Sequence, residues 1–501
     1  MTNNNIERPT VRDNHKGKVV IVGGGPTGLG TALMLAKRGW KDVTVLEKRP
    51  SADYYEPDKS FNYQIDGRGQ KLTDLFDITS KLATLSVPNT EFYLTLIQKD
   101  GKRTVNKLPI ADSDRKTAYW LPRPAFLQLL YQEIEQNWQD SIKVLFQTEC
   151  VEIKQDSSNL DSSNLEITAQ SISESTDQKK YSFHPTLIVG CDGLNSIVRQ
   201  TLHESESESD SFEMQIFPSP SSGLRYKVLT LPPQFPLSDQ EGDVSESTMA
   251  YAIRSTFKEP KKALSLGLLP FKNPHTPRTA NIITYPDHAI WKLTTEEEVD
   301  NFLKEAFPQI PLEKIVSPQE IARFTNSQGG SFPIPQYCSG LHKIWGEPDE
   351  NQGTAVILLG DAVHCFPPDI GQGVNSALED VYLLYEALAE NSDNLAQTLP
   401  RYENLRQPNI KALIRLAQVS YPWQYNQNPF QKRLWSINFF LRFLLSRALP
   451  FLFNNHSFLL IQNHELSYSE ILTKSNRTTV MLYLLGGLIV LGLVGSFFAI
   501  S

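Results

Sequence analysis

A glycine-rich turn between two short β-branched runs constrains the fold of this chain more than any other feature. The run Val19–Val22 predicts a buried strand, and the sequence Gly-Gly-Gly-Pro-Thr-Gly follows it directly over 23–28. Apolar residues then recur at helical spacing as far as Gly39, and a second strand over 43–46 ends in Glu47. The glycines therefore form a G-x-G-x-x-G pattern at the first turn of a β-α-β unit.

This arrangement predicts a dinucleotide site. Glycines allow the tight turn and let backbone N–H groups at a helix N-terminus approach a pyrophosphate, whose negative charge the helix dipole favours. An acidic residue at the end of the second strand can accept hydrogen bonds from ribose hydroxyls. The alternative is a purely structural turn. The residues predicted to bind an adenine dinucleotide are Gly23, Gly25, Pro26, Thr27, Gly28 and Glu47.

Two later clusters narrow the choice of cofactor. The segment Asp192-Gly193-Leu194-Asn195-Ser196-Ile197-Val198-Arg199 matches D-G-x-x-S-x-x-R, and Gly360-Asp361 follows a buried-strand run over 355–359. With the first glycine turn, these motifs resemble the three ordered fingerprints of the class A flavoprotein monooxygenases, the aromatic hydroxylase family. The resemblance implies that FAD is the cofactor, that Asp361 holds its ribityl chain, and that Asp192 supports flavin and pyridine nucleotide.

Within that family the chain resembles the kynurenine 3-monooxygenase group over most of its length. The segments that carry the likeness are 66–70, 122–124, 301–308, 371–375, 401–406 and 466–470. The resemblance implies that Arg68 and Arg123 contact FAD. It also places a rigid loop and the start of a helix beside the isoalloxazine ring, with the N-terminal amides of the helix pointing at the flavin. The residues of this segment are Gly371, Gln372, Gly373, Val374 and Asn375.

The resemblance implies an NAD(P)H-consuming monooxygenase that inserts one atom of O₂ into an aromatic or other electron-rich substrate. No second G-x-G-x-x-G is present, so NAD(P)H is expected to bind transiently. The likeness fails at the substrate: the strand 91–97 lacks the arginine with which the kynurenine enzymes clamp a carboxylate, and their tyrosine falls near Ile110. His364 and Cys365 are interpreted as structural contacts, and no catalytic residue is assigned.

Two other functions stay open. One is a membrane-associated flavin epoxidase or reductase that acts on isoprenoid or polyene lipids, and the other is a non-catalytic FAD-binding protein. Composition excludes several further classes. With 48 Lys and Arg against 56 Asp and Glu, the net charge of −8 argues against nucleic acid. The four cysteines form no C-x-x-C pair, which argues against a zinc site and a disulfide framework and fits a reducing compartment.

The predicted fold class is α/β: a Rossmann-like FAD-binding fold of the aromatic hydroxylase type with an inserted, mostly antiparallel sheet. The FAD-binding parts are predicted over 15–205 and 341–390, with strands of the substrate domain near 85–120 and the main substrate-binding sheet over 206–340. A helical region over 391–475 follows. Its stripe over 432–453, apolar with basic flanks, fits either a membrane interface or packing on the flavin domain.

The last stretch departs from the mean hydropathy of −0.32. Residues 480–500 carry no charge, and a helix of that length would span roughly 30 Å, the thickness of a bilayer core. It is predicted to be a single-pass C-terminal transmembrane helix, with a buried core helix as the alternative. Lys474 and Arg477 precede it, which predicts a catalytic domain that faces the cytoplasm.

Overall fold

A computed structural model describes residues 16–59, 62–90, 92–108, 115–155, 163–172, 179–206, 209–350, 352–425 and 427–500. The tyrosine position predicted near Ile110 lies outside them. The helices are α1 (Pro26–Lys37), α2 (Gly67–Leu75), α3 (Thr79–Leu85), α4 (Arg123–Asn137), α5 (Ile197–Glu204), α6 (Glu296–Ala306), α7 (Leu312–Ile315), α8 (Pro318–Asn326), α9 (Gly373–Glu390), α10 (Leu395–Val419), α11 (Pro429–Ala448), α12 (Ser457–Leu460) and α13 (Tyr468–Ile500).

The strands belong to two large and three small sheets. In chain order they are β1 (Val19–Val22), β2 (Val43–Leu46), β3 (Asn62–Ile65), β4 (Val87–Pro88), β5 (Phe92–Ile97), β6 (Arg103–Leu108), β7 (Tyr119–Pro122), β8 (Ile142–Leu145), β9 (Thr148–Gln155), β10 (Leu165–Ser171), β11 (Lys180–Phe183), β12 (Leu187–Gly190), β13 (Gln215–Ile216), β14 (Arg225–Leu231), β15 (Ala250–Arg254), β16 (Ser265–Leu268), β17 (Arg278–Thr284), β18 (Gly330–Ser331), β19 (Gln336–Tyr337), β20 (His342–Glu347), β21 (Gln352–Leu358) and β22 (His364–Cys365).

The first large sheet is the expected Rossmann-like layer, in the order β20-β21-β12-β1-β2-β8. Every pairing is parallel except the edge pair β20–β21. Strands β1, β2 and β12 are buried at every position, because helices and loops cover both faces, and this explains their almost entirely apolar sequences, in which Thr44 of β2 is the one polar side chain. The strands predicted over 187–189 and 355–359 therefore join the first glycine turn in one sheet, with their carboxyl ends at the same edge.

The second large sheet is inserted between the segments of the first, in the order β18-β14-β17-β16-β15-β5-β6. Its pairings are antiparallel except β15–β5, and α6, α7 and α8 supply residues to the apolar core on one side of it. Strands β5 and β6 come from the N-terminal part of the chain, so the polypeptide passes between the two sheets more than once. Such crossings bring the edges of both sheets next to each other.

The prediction of a transmembrane helix at the C-terminus is wrong. Within the described residues no helix is both long enough and apolar enough to cross a bilayer. The first turns of α13 carry Glu470, Lys474 and Arg477, and Tyr468 and Ile471 of the same turns are fully buried against the protein. The side chains after Leu491 lie outside the described residues.

Helix α11, which forms most of the predicted apolar stripe over 432–453, packs little of its surface on the flavin domain. Arg442 is its one buried side chain among the described residues, and its guanidinium donates to Ser475 O and Thr479 Oγ1 of α13. On the open side Phe430, Ile437, Phe440 and Leu444 are each about 60% exposed.

A buried ionic cluster joins α9 to α10. Arg406 Nε donates to Asp380 Oδ1 over 2.6 Å, and Arg406 Nη1 donates to Glu379 Oε2 over 2.8 Å. Burial alone would lower the pKa of Arg406, but the two carboxylates outweigh it and raise that pKa. The same carboxylates bind two further groups: Glu379 accepts from Arg68 Nε, and Asp380 accepts from His364 Nε2. Every charge in this cluster therefore has an oppositely charged or hydrogen-bonding partner.

We expect Arg406→Met to lower the free energy of unfolding by about 3–5 kcal/mol, because it removes the one guanidinium that contacts both buried carboxylates and leaves Asp380 without a cation beside it. The matched control is Arg401→Met in the same helix, whose pair with Glu390 is about half exposed and should contribute less than about 1 kcal/mol. Urea denaturation followed by circular dichroism measures both. Equal, small effects in the two variants would contradict a structural role for the cluster.

Candidate functional site

The glycine turn after β1 requires its glycines for steric reasons. Gly23 has a φ of +101°, and a Cβ there would lie 2.4 Å from the carbonyl oxygen of Cys191 at the end of β12. A Cβ at Gly28 would lie 1.9 Å from the carbonyl oxygen of Gly23. Larger residues would push the turn away from α1 and β12. The turn is therefore pressed against the neighbouring strand, where the carboxyl ends of β1 and β12 meet.

The outer side of this turn is open. Gly25 has no atom within 4 Å of the place where its Cβ would be, and it precedes α1, which begins at Pro26. No side chain caps the helix and its first turn contains no acid. Thr27 is buried against Gly360, where an added Cβ would lie 2.7 Å from Thr27 Oγ1. The unpaired N–H groups of α1 thus face open space, the arrangement that binds an anion.

Glu47, at the end of β2, borders the same turn. Its Oε2 accepts a hydrogen bond from Gly24 N over 2.8 Å, and its Oε1 accepts one from Arg49 N over 2.8 Å. The side chain is 5% exposed. Each carboxylate oxygen can accept a second hydrogen bond. Glu47 therefore fixes the glycine turn and keeps acceptor capacity for a ribose.

Asp192, after β12, has a structural partner. Its Oδ2 accepts from Ile197 N over 2.7 Å at the start of α5, and its Oδ1 is buried without a partner among the described residues. Burial raises the pKa of Asp192. One oxygen thus holds the helix, and the other remains available to a ligand.

Asp361, after β21, lies at the same edge of the sheet. Its side chain is exposed although its neighbours Gly360 and Ala362 are buried, and it accepts no hydrogen bond from the described residues. Desolvation by the surrounding protein nevertheless raises its pKa, which means that the carboxylate is recessed in a cleft. On the other side of this cleft, burial raises the pKa of Tyr63. Arg123 lowers that pKa, and Asp361 raises it further. Tyr63, Arg123 and Asp361 therefore share one cleft.

The loop before α9 borders the cleft with little side chain. Gly371 has a φ of +63°, and neither it nor Gly373 has an atom within 3.8 Å of the place where its Cβ would be. Helix α9 begins at Gly373 with no side-chain cap and no acid in its first turn, and Val374 is half-buried. A planar group can therefore approach this backbone closely, with the positive end of the helix dipole beside it.

Arg68, Gln372 and Asn375 are buried in a polar network behind that loop. Arg68 is fully buried and donates to Glu379 Oε1, Gln372 Oε1 and the carbonyl oxygens of three residues in 461–466. Asn375 Oδ1 accepts from Asp66 N over 3.0 Å. The Arg68 side chain thus supports the loop from the protein side, and direct contact with FAD stays a prediction for these three residues.

The residues at this edge fit FAD. The uncapped start of α1 suits a pyrophosphate, the acceptors on Glu47 and Asp361 suit sugar hydroxyls, and the open glycine loop before α9 suits a planar ring. Sequence reasoning missed Tyr63 as a member of the cleft and Arg406 as the support behind it. Tyr63 belongs to none of the motifs identified in the sequence, so no pattern marked it. Arg406 is a charged residue within the long helical pattern after 395, and only its partners reveal its burial.

Comparison with known proteins agrees with this geometry. The chain matches the family described as FAD binding domain over residues 16–229 and 349–417. It is 28% identical over 442 residues to kynurenine 3-monooxygenase of Cryptococcus neoformans var. neoformans serotype D, covering 81% of this chain and 78% of that protein. It is 24% identical over 423 residues to kynurenine 3-monooxygenase of Dictyostelium discoideum, covering 80% and 79%.

Solved structures show the same fold. A tetrameric form of 2-methyl-3-hydroxypyridine-5-carboxylic acid oxygenase superposes with a TM-score of 0.55 at 16% identity, covering 81% of this chain and 91% of that one. A tetracycline destructase superposes with a TM-score of 0.53 at 17% identity, covering 84% and 95%. The match to the family spans more than half of the sequence and includes the glycine turn, Asp192 and Asp361. The chain therefore belongs to the FAD binding domain family, and it is an FAD-dependent oxidoreductase of the monooxygenase type.

Proposed function

We propose that this protein uses NAD(P)H and O₂ to hydroxylate an aromatic substrate at the junction of its two large sheets. When bound, FAD supplies the redox chemistry that activates O₂. The observation that carries the proposal is the cleft at the carboxyl ends of β1, β2, β12 and β21, with two uncapped helix N-termini and the exposed carboxylate of Asp361. The kynurenine 3-monooxygenases to which the chain is similar support the reaction type.

The chain's own residues bind and orient in this proposal. The turn containing Gly23, Gly25 and Gly28 and the start of α1 hold the pyrophosphate, Glu47 holds the adenine ribose, and Asp361 holds the ribityl chain. The amides of α9 stabilise negative charge on the ring beside them. The parts around the first sheet, predicted over 15–205 and 341–390, form the cofactor unit, and 206–340 contributes the substrate side.

We propose that the substrate is an aromatic compound other than kynurenine. Strand β5 lies in the second sheet and carries no arginine, so it offers no cation for an amino-acid carboxylate. Burying such a carboxylate without a partner would be costly.

Asp361→Ala should weaken FAD binding about 10- to 100-fold, because a hydrogen bond to a charged acceptor contributes about 1.5–3 kcal/mol. Flavin absorbance of the purified protein and titration of the apoprotein with FAD measure this. Asp140→Ala, at an exposed position after α4, is the matched control and should bind FAD normally. An unchanged affinity in Asp361→Ala would remove this residue from the site.

The reaction itself is tested on the holoenzyme with NADPH and NADH. We expect nicotinamide oxidation to be slow alone and to rise at least about tenfold with an effective aromatic compound, with one hydroxylated product per nicotinamide consumed. Phenols, anilines, L-kynurenine and isoprenoid alcohols form the panel, and peroxide is monitored to detect uncoupling. Flavin that neither nicotinamide reduces would contradict the proposal and favour a non-catalytic FAD-binding protein.

We also propose that α11 lies on a membrane surface. Its open side presents Phe430, Ile437, Phe440 and Leu444, and the helix contains four basic residues and no acidic one. Arg433 and Arg447 are exposed. Apolar side chains beside cations suit the interface of an anionic bilayer, and this arrangement requires no helix that crosses it.

Ile437→Glu combined with Phe440→Glu should reduce binding of the full chain to phosphatidylcholine–phosphatidylserine vesicles at least about tenfold, because both side chains leave the apolar layer. Vesicle co-sedimentation measures this, and added salt should weaken wild-type binding. Val105→Glu, an equally exposed apolar residue on β6, is the control. Unchanged binding of the double variant would exclude α11 as the contact.

A further inference from the structure

One buried carboxylate at the junction of the two sheets has no role in the fold. Asp369 lies in the loop before α9, between Pro368 and Ile370, and its side chain is 4% exposed. Neither Oδ1 nor Oδ2 has a hydrogen-bond partner, and no other buried carboxylate of the described residues lacks partners on both oxygens. A buried acceptor left unpaired is destabilising by about 1–3 kcal/mol, so its retention calls for an explanation.

The nearest candidate partner is already committed elsewhere. Ser221 lies near Asp369 and slightly lowers its pKa, but the Ser221 hydroxyl donates to Pro422 O and accepts from Gln427 Nε2. A hydroxyl has one proton, so Ser221 could supply at most one hydrogen bond to the carboxylate, and in this structure neither carboxylate oxygen has a hydrogen-bond partner. Burial raises the pKa of Asp369 to about 7. The group is therefore partly ionised near neutral pH and lacks a donor.

An aromatic patch, defined here as Tyr226, Phe332 and Tyr425, lies beside this carboxylate. The rings of Tyr226 and Phe332 are 5.8 Å apart, and those of Phe332 and Tyr425 are 5.4 Å apart. Asp369 is close enough to Tyr425 to reinforce the increase in its pKa that burial causes. The patch belongs to a small cluster separate from the two main cores. These ring surfaces and the unpaired carboxylate of Asp369 are complementary to an aromatic molecule that carries a hydrogen-bond donor.

The connections between these groups are short. Phe332 N donates to Leu224 O over 2.7 Å, and Leu224 N donates to Ser221 O over 3.3 Å, so the turn near Ser221 and the aromatic patch form one wall. The loop of Asp369 lies near Ser221 and Tyr425 and continues through Gly371 into α9. The carboxylate is thus held between the second sheet and the loop assigned to the flavin ring. Asp369 therefore lies two residues before Gly371, whose open backbone is proposed to face the flavin ring.

Resting on the proposed monooxygenase function, we propose that Asp369 binds the substrate by accepting a hydrogen bond from an O–H or N–H group attached directly to its aromatic ring. The aromatic patch holds the ring by stacking. The carboxylate then fixes which ring carbon faces the flavin, and it selects ring-hydroxylated or ring-aminated compounds over those without a donor. A site built around an acceptor discriminates strongly against ligands that leave it unpaired.

The test titrates the holoenzyme with phenol, aniline and anisole and follows the flavin absorbance. Wild-type protein should bind phenol or aniline at least about tenfold more tightly than anisole, whose methyl ether has no donor. Asp369→Leu keeps a similar volume without the acceptor and should abolish or invert this preference. Asp369→Asn should reduce it. Preference for phenol alone or aniline alone identifies which donor the site takes, and both results support the proposal.

The pH profile gives an independent readout. Because the ionised carboxylate is the better acceptor, affinity for phenol should fall about tenfold per pH unit below about 7 in the wild type and should not change in Asp369→Asn. The other titratable group that interacts with Asp369 within the described chain is Tyr425, whose raised pKa keeps it neutral in this range. A wild-type profile that Asp369→Asn reproduces would overturn the assignment.

Two further results separate this inference from the proposed function. If nicotinamide reduces the flavin but the phenol-to-anisole ratio is the same in wild type, Asp369→Asn and Asp369→Leu, the inference fails and the function stands. If Asp369→Asn loses FAD instead of ligand selectivity, the carboxylate serves the cofactor and the inference also fails. Flavin that is never reduced defeats the function itself, and that measurement needs no aromatic ligand.

Discussion

The carboxylate of Asp380 is the point on which the candidate site depends. Its Oδ2 accepts from Gly360 N over 2.8 Å and from His364 Nε2 over 2.9 Å, while Oδ1 accepts from Arg406 Nε over 2.6 Å. Gly360 has a φ of +64° and directly precedes Asp361, so this hydrogen bond fixes the turn from which Asp361 projects. In a low-dielectric interior each of these bonds strengthens the others. The buried carboxylate of Asp380 thus fixes the position of the accessible carboxylate of Asp361.

The two sheets divide the work of binding. The first sheet ends in backbone turns, helix N-termini and acceptors, which suit a large polar cofactor. The second sheet and the segments next to it supply ring surfaces, which suit an aromatic molecule. Few acids or bases are needed in such an enzyme, because the cofactor carries the redox chemistry and the protein positions, orients and excludes water.

The features that could be predicted from sequence are local ones. Gly23 and Gly28 could be predicted because steric contact allows no other residue at these positions. Strands β1, β2 and β12 could be predicted because strands buried on both faces need nearly continuous apolar sequences. The partners of Arg68 could not be read, since three of its acceptors are carbonyl oxygens of 461–466, far away in sequence. The lack of a hydrogen-bond partner for Asp369 likewise depends on which acceptor the Ser221 hydroxyl donates to. The transmembrane prediction was wrong, because within the described residues no helix is long and apolar enough to cross a bilayer.

The long-range order of the first sheet has a consequence for synthesis of the chain. Strand β1 pairs with β12, and β12 pairs with β21, so the sheet begun at Val19 is incomplete until Leu358 has been made. Arg68 then needs the carbonyl oxygens of 461–466 to satisfy its guanidinium. A nascent chain therefore lacks the partners of these strands and of Arg68 for most of its translation. The sheet edge that carries the candidate cofactor site, and the network behind it, can therefore be completed only after most of the polypeptide has been synthesised.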